Sequence, residues 1–234
     1  MIDIHPLVLT ALSIGFVHTL FGPDHYLPFI VMSKARSWAT SKTLFITFLC
    51  GLGHVLSSVV LGIVGVGFGI AVQRLKLIES VRGDLAAWVL TGFGIAYTIW
   101  GIRIGIRARE HDHDHDHSQD GAHHHTHHHL GKHAHIHGDV KSFTPWMLFV
   151  IFVLGPCEPL IPILMYPASQ GSWALLTTVT LAFSIATIGT MTIIVWIVSV
   201  GWVSFSMGKL EPFVHAIAGL MIALSGFAIL FLGL

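Results

Sequence analysis

Six apolar stretches leave this chain few folds other than a helical membrane protein. They run over residues 7–32, 43–72, 85–106, 143–166, 173–203 and 212–234. Crossing a hydrocarbon core of about 30 Å takes roughly 20 residues of helix, so each stretch suffices for one span. Composition agrees: 53% of residues are hydrophobic, 10% are charged and the mean hydropathy is +0.76, whereas soluble domains carry about 25% charged residues. A bilayer admits only structures that satisfy their own backbone hydrogen bonds. The expected fold is therefore all-α and polytopic, with six transmembrane helices. Stretches one, two and five exceed the minimum length, so they must tilt, kink or project.

Within this apolar background one phrase is written twice. Residues 21–32 read FGPDHYLPFIVM and residues 154–165 read LGPCEPLIPILM, 133 positions apart. Each copy joins Gly-Pro to two groups able to bind a metal or a proton, Asp24 and His25 in the first and Cys157 and Glu158 in the second. Proline lacks an amide hydrogen and frees the carbonyl four residues before it. Gly22-Pro23 and Gly155-Pro156 with Pro159 therefore predict broken helices in spans one and four. Ser37-Trp38-Ala39 returns as Ser172-Trp173-Ala174, Gly53 has a counterpart in Gly189, and Gly92-x-x-Ile95-Ala96 is echoed by Gly219-x-x-Ile222-Ala223. Small-residue coincidences are common in membrane helices, and the third echo is the weakest. Two halves of three spans enter the membrane from opposite sides, so the expectation is an inverted repeat with a transport site between the halves. Residues 1–109 form the first repeat and residues 143–234 the second.

Residues 110–142 separate the halves and hold thirteen of the eighteen histidines: His111, His113, His115, His117, His123, His124, His125, His127, His128, His129, His133, His135 and His137. The segment has little to bury, so disorder or metal-dependent order is expected. Imidazole suits nickel, copper, zinc and cobalt, and the interleaved aspartates add carboxylate oxygens. Nine of the twelve Lys and Arg residues fall in or beside the loops after spans one, three and five. The positive-inside rule then places both termini outside a cell membrane and the histidine-rich loop in the cytoplasm.

Ionisable residues inside spans are costly and mark pathways. His18, Asp24 and His25 form H-x5-D-H across the first break, and His54 follows Gly51-Leu52-Gly53 in span two. His18 and His25 share a helical face, while Asp24 is turned about 100° from His25; unwinding at Gly22-Pro23 would let the three converge, with His54 approaching from the next helix. Three imidazoles and a carboxylate make a site for nickel or cobalt, with Cys157 and Glu158 as a second or alternating set. Plainer roles stand beside these: a carbonyl-bonded interior histidine for His18, a close helix contact for His54, a helix cap for Asp24. His5 and His215 lie near the boundaries and read as solvated or snorkelling.

These residues resemble the nickel/cobalt transporter superfamily, in particular its small UreH-like and RcnA-like members. The resemblance implies a carrier of Ni2+ or Co2+ with metal ligands at His18, Asp24, His25 and His54. One departure is an extra residue relative to the family's H-x4-D-H. A second resemblance is to CcdA-type proteins, which pass reducing equivalents through a cysteine in each half. Gly155-Pro156-Cys157 carries that likeness, but the first half has Asp24 where a cysteine is wanted, and Cys50 is far from an equivalent place. In broad fold the expected architecture also resembles that of TauE/SafE-type sulfite and organic-anion exporters. An anion carrier wants positive groups at its site, and the apolar stretches contain no Lys or Arg at their cores.

No enzyme is expected: there is no soluble domain to hold a substrate, and the H-E-x-x-H helix of intramembrane metalloproteases is missing. Nothing points to nucleic acid, and the oligomeric state is not encoded legibly. The expected function is transport of a divalent transition metal by alternating access, with zinc also retained by the loop and with efflux slightly favoured by the loop's side. The alternatives are a CcdA-like carrier of thiol reducing equivalents, a TauE/SafE-like sulfite or organic-anion exporter and, third, a storage accessory that works with nickel-enzyme maturation proteins.

Overall fold

The computed structural model describes residues 4–70, 72–110, 140–157, 159–202 and 208–232. The described residues contain helices and no strand. In chain order these are α1 (Ile4–Phe21), a 3-10 turn (Pro23–His25), α2 (Leu27–Ala35), α3 (Thr40–Gly67), α4 (Val72–Glu110), α5 (Val140–Leu154), α6 (Leu160–Ser169), α7 (Trp173–Trp202), a second 3-10 turn (Gly208–Phe213) and α8 (Val214–Leu232). Four helical segments are long and apolar enough to cross a membrane: Thr40–Gly65, Val72–Arg107, Trp173–Gly201 and Leu210–Leu232. The stretches expected as spans one and four are each two shorter apolar helices, α1 with α2 and α5 with α6.

Both breaks follow from proline. α1 closes with the Gly22 amide donating to the His18 carbonyl at 3.0 Å, after which Pro23 has no N–H to continue the ladder. The chain tightens into a 3-10 turn in which the His25 amide donates to Gly22 O (3.1 Å) and the Tyr26 amide to Pro23 O (3.3 Å). α5 ends likewise with Gly155 donating to Ile151 O at 2.8 Å before Pro156, and α6 begins where Leu160 donates to Cys157 O at 2.9 Å. Along the unbroken helices, Thr43, Thr47, Thr91, Thr98, Thr180 and Ser184 turn their hydroxyls back to the carbonyl four residues earlier. In lipid this satisfies a polar side chain without a second partner.

α4 is the main departure from the apolar-window reading. It is 39 residues long, about 58 Å, and begins at Val72 rather than Leu85. Arg74, Lys76, Glu79 and Arg82 therefore belong to the same continuous helix as the apolar third stretch. Glu79 and Arg82, three residues apart, face each other at 3.4 Å and offset each other's charge inside it.

Helices pack across the two halves. α4 lies along α8, α1 along α7, and α3 against both α5 and α7. The α4–α8 seam is a backbone contact permitted by glycine: a Cβ on Gly94 would meet Ala223, on Gly101 Ala216, on Gly219 Thr98 and on Gly226 Thr91. Close approach through small residues is the usual way membrane helices associate. On α4 the glycines that meet α8 are Gly94 and Gly101, whereas Gly92 faces open space. Two apolar clusters result. One gathers Phe29, Met32, Cys50, Leu148, Phe152, Met191 and Ile222; the other gathers Ala11, Val55, Cys157, Leu160, Val179 and Phe183.

Candidate functional site

Between these clusters three histidines meet. His18 at the end of α1, His25 in the turn and His54 in the middle of α3 each offer a nitrogen, and the three atoms lie within 4.8 Å of one another. The His18 and His25 ring centroids are 4.7 Å apart, those of His25 and His54 5.1 Å, and each pair is edge-on. His25 and His54 are buried and His18 is half-buried.

The breaks are what orient these rings. The Nδ1–H of His25 faces two acceptors at 3.2 Å, the Gly22 carbonyl and Asp24 Oδ1. A Cβ on Gly22 would lie 2.6 Å from that Nδ1 and 2.9 Å from Asp24 Oδ1, so only glycine lets the turn fold back this closely. His54 uses the other break. Pro156 cannot donate to the carbonyl four residues back, and that oxygen, on Phe152, accepts from His54 Nδ1 at 3.3 Å. A carbonyl accepts only, so Nδ1 carries the proton in both rings, and in the neutral imidazole Nε2 keeps its lone pair. Nε2 of His18, His25 and His54 is in each case buried without a hydrogen-bond partner among the described residues.

A borderline divalent ion fits this donor set. Imidazole is its preferred nitrogen ligand, and a carboxylate or carbonyl on the far ring nitrogen is the usual second support of a metal-binding histidine. Metal–nitrogen bonds of about 2.0–2.1 Å need the nitrogens roughly 3.3 Å apart in a tetrahedral set, so shifts of about an ångström close the cluster. Asp24 stands behind His25 rather than among the converging atoms. The cluster opens on a cavity of about 610 Å³ lined also by Asp24, Ser80, Asp84, Gly155, Pro156 and Pro159.

Of the remaining expected ligands, Cys157 is fully buried in the second apolar cluster, its amide donating to Ser58 Oγ at 3.1 Å, and it is not grouped with the histidines. Glu158 and the thirteen loop histidines lie outside the described residues. His215, expected at a solvated boundary, is instead half-buried, with Nδ1 2.9 Å from the Tyr97 hydroxyl.

Arg82 was missed because the third apolar window began after it. Its Nε and Nη2 donate to the carbonyls of Leu154 (3.2 Å) and Gly155 (2.9 Å), and Nη2 also reaches Ser57 Oγ (3.0 Å) and Ser58 Oγ (3.3 Å). The expectation that no basic residue reaches the core is corrected accordingly. A signal was present: Pro159 leaves the Gly155 carbonyl without a helical donor, and Arg82 stands three residues after Glu79.

Fold and site together define a multi-pass helical membrane protein with a histidine-lined cavity between two broken helices. The chain belongs to the family described as cytochrome C biogenesis protein transmembrane region, whose model matches residues 27–233. No curated protein and no solved structure matches the chain. This membership overturns the resemblance to the nickel/cobalt transporter superfamily. H-x5-D-H and a histidine-rich loop are short or compositional features, which separate lineages can share, whereas the family match covers 207 of the 234 residues. The match favours the CcdA-like alternative at the level of family. It begins at Leu27, past His18, Asp24 and His25, which leaves those three to be judged on geometry.

Proposed function

We propose that this protein is a transporter in which the histidine cluster receives a divalent transition-metal ion as cargo. The observation that carries the reading is the meeting of one ring nitrogen from each of His18, His25 and His54 within 4.8 Å, in a set whose three Nε2 atoms are buried without hydrogen-bond partners among the described residues. Burying three such acceptors in a low-dielectric interior is costly unless something occupies them part of the time. Asp24 offsets part of the cation's charge and holds His25 in the metal-binding tautomer.

Alternating access between two inverted three-helix repeats is the proposed mode. The helix pairings support it: exchanging the halves turns the α1–α7 contact into the α5–α3 contact and maps α4–α8 onto itself. The loop at 110–142, expected on the cytoplasmic side by the positive-inside rule, would collect ion for export.

A second reading, transfer of reducing equivalents, is favoured by the family membership and by Cys157 at the second break. Its chemistry needs a second thiol within reach, with Cα atoms about 4.4–6.8 Å apart. Cys50 lies eight residues, about 12 Å of helix rise, from the Ser58 that contacts Cys157.

The deciding experiment is flux into proteoliposomes of zinc, nickel and cobalt, and separately of thiol reducing equivalents, for the intact chain, His54→Ala and Cys157→Ala. Metal flux lost in His54→Ala and kept in Cys157→Ala supports the cargo reading. Reductant transfer lost in Cys157→Ala, with no metal flux in the intact chain, overturns it in favour of the second.

A further inference from the structure

Arg82 is placed to do more than balance Glu79. The second break strands the Gly155 carbonyl, since Pro159 four residues on has no N–H. Arg82 on α4 caps it together with the Leu154 carbonyl, using the planar fork that a guanidinium has and an ammonium lacks. The same group contacts Ser57 and Ser58 on α3. Ser57 Oγ donates to the carbonyl of His54 at 2.8 Å, and Ser58 Oγ accepts from the Cys157 amide at 3.1 Å. One guanidinium thus joins α4, the α5 side of the second break and the turn of α3 that bears His54. Glu79, fully buried with Oε1 3.4 Å from Nη1, offsets a positive charge that would otherwise repel a cation in the adjoining cavity.

We propose that Arg82 is the positioning residue of the histidine site: it holds the second break against α3, thereby setting His54, with Glu79 cancelling its charge toward the cargo. The proposal rests on the metal reading for its effect on transport but not for its effect on structure.

The test compares Arg82→Lys and Glu79→Gln with the intact chain in proteoliposomes. It measures zinc KM and Vmax, and the rate at which N-ethylmaleimide alkylates Cys157, assigned by mass spectrometry. In Arg82→Lys, which keeps the charge and loses the fork, zinc KM rises about tenfold, as for loss of a ligand's outer support. Vmax stays within about twofold, whereas a mere loss of folded protein would lower Vmax and leave KM alone. Cys157 alkylation accelerates because the break loosens. In Glu79→Gln, alkylation stays at the intact rate while zinc KM rises. Unchanged Cys157 alkylation in Arg82→Lys overturns the positioning role, and an unchanged KM in Glu79→Gln overturns the charge-cancelling role. The alkylation measurement involves no metal, so it still reports on Arg82 if the intact chain carries no zinc, the result that would sink the metal reading alone.

Discussion

His54, in the middle of α3, donates its Nδ1 proton to the carbonyl of Phe152 in α5 at 3.3 Å, across 98 positions of sequence. That carbonyl is available because Pro156 has no N–H to offer it. A defect in one half of the chain therefore orients a histidine in the other, and its Nε2 is left buried without a hydrogen-bond partner among the described residues. The same pattern recurs where Arg82 takes the carbonyl that Pro159 cannot reach.

Replacing His54 or His25 by Ala removes one of three converging nitrogens. Zinc affinity of the purified protein should fall by on the order of a hundredfold or more, exceeding the loss expected for an outer-shell partner. Competition against a zinc-sensitive dye in detergent measures it, and an unchanged dissociation constant removes that residue from the site.

Asp24→Asn keeps an acceptor beside His25 Nδ1 but loses the charge. Affinity should fall more modestly, by about tenfold. A loss as large as that of His25→Ala would instead make Asp24 a direct ligand, contrary to its position behind the ring.

Gly22→Ala introduces a Cβ 2.6 Å from His25 Nδ1, whereas Gly92→Ala places one in open space. The first should abolish high-affinity zinc binding and the second should leave it intact. Gly219→Ala, whose Cβ would strike the backbone of Thr98, should destabilise the α4–α8 seam by about 1–3 kcal/mol through overpacking. Thermal unfolding in detergent ranks the three variants, and equal midpoints would mean that the seam yields more easily than its backbone contacts suggest.

Deletion of residues 111–137 separates collection from passage. Bound zinc per protein should drop sharply with the removal of thirteen histidines, while flux through the membrane persists with a higher KM. Complete loss of flux would place the loop in the pathway.

The breaks themselves were legible, since proline's missing donor is a property of the residue: Gly22-Pro23 and Gly155-Pro156 end α1 and α5 as expected. The cluster was legible in part, because His18 and His25 lie seven apart and His54 follows a glycine-rich turn of the next helix. Arg82 was not, because an apolar window stops at the first charges, whereas an ion pair between buried Glu79 and half-buried Arg82 lets the helix run on. Nor was the burial of Cys157, which the repeated phrase marks as a candidate pathway residue and which packs among Leu160, Val179 and Phe183.

Hydropathy and proline chemistry act over a few residues, so residue order alone was enough to establish membrane helices, two interruptions and histidines beside one of them. Which side chain satisfies each carbonyl so exposed depends on how α3, α4 and α5 lie against one another. That arrangement comes from packing over distances of 70 to 100 residues, and it is what fixes the His54 ring and brings Arg82 to the second break, whereas the local 3-10 turn sets Asp24 behind His25.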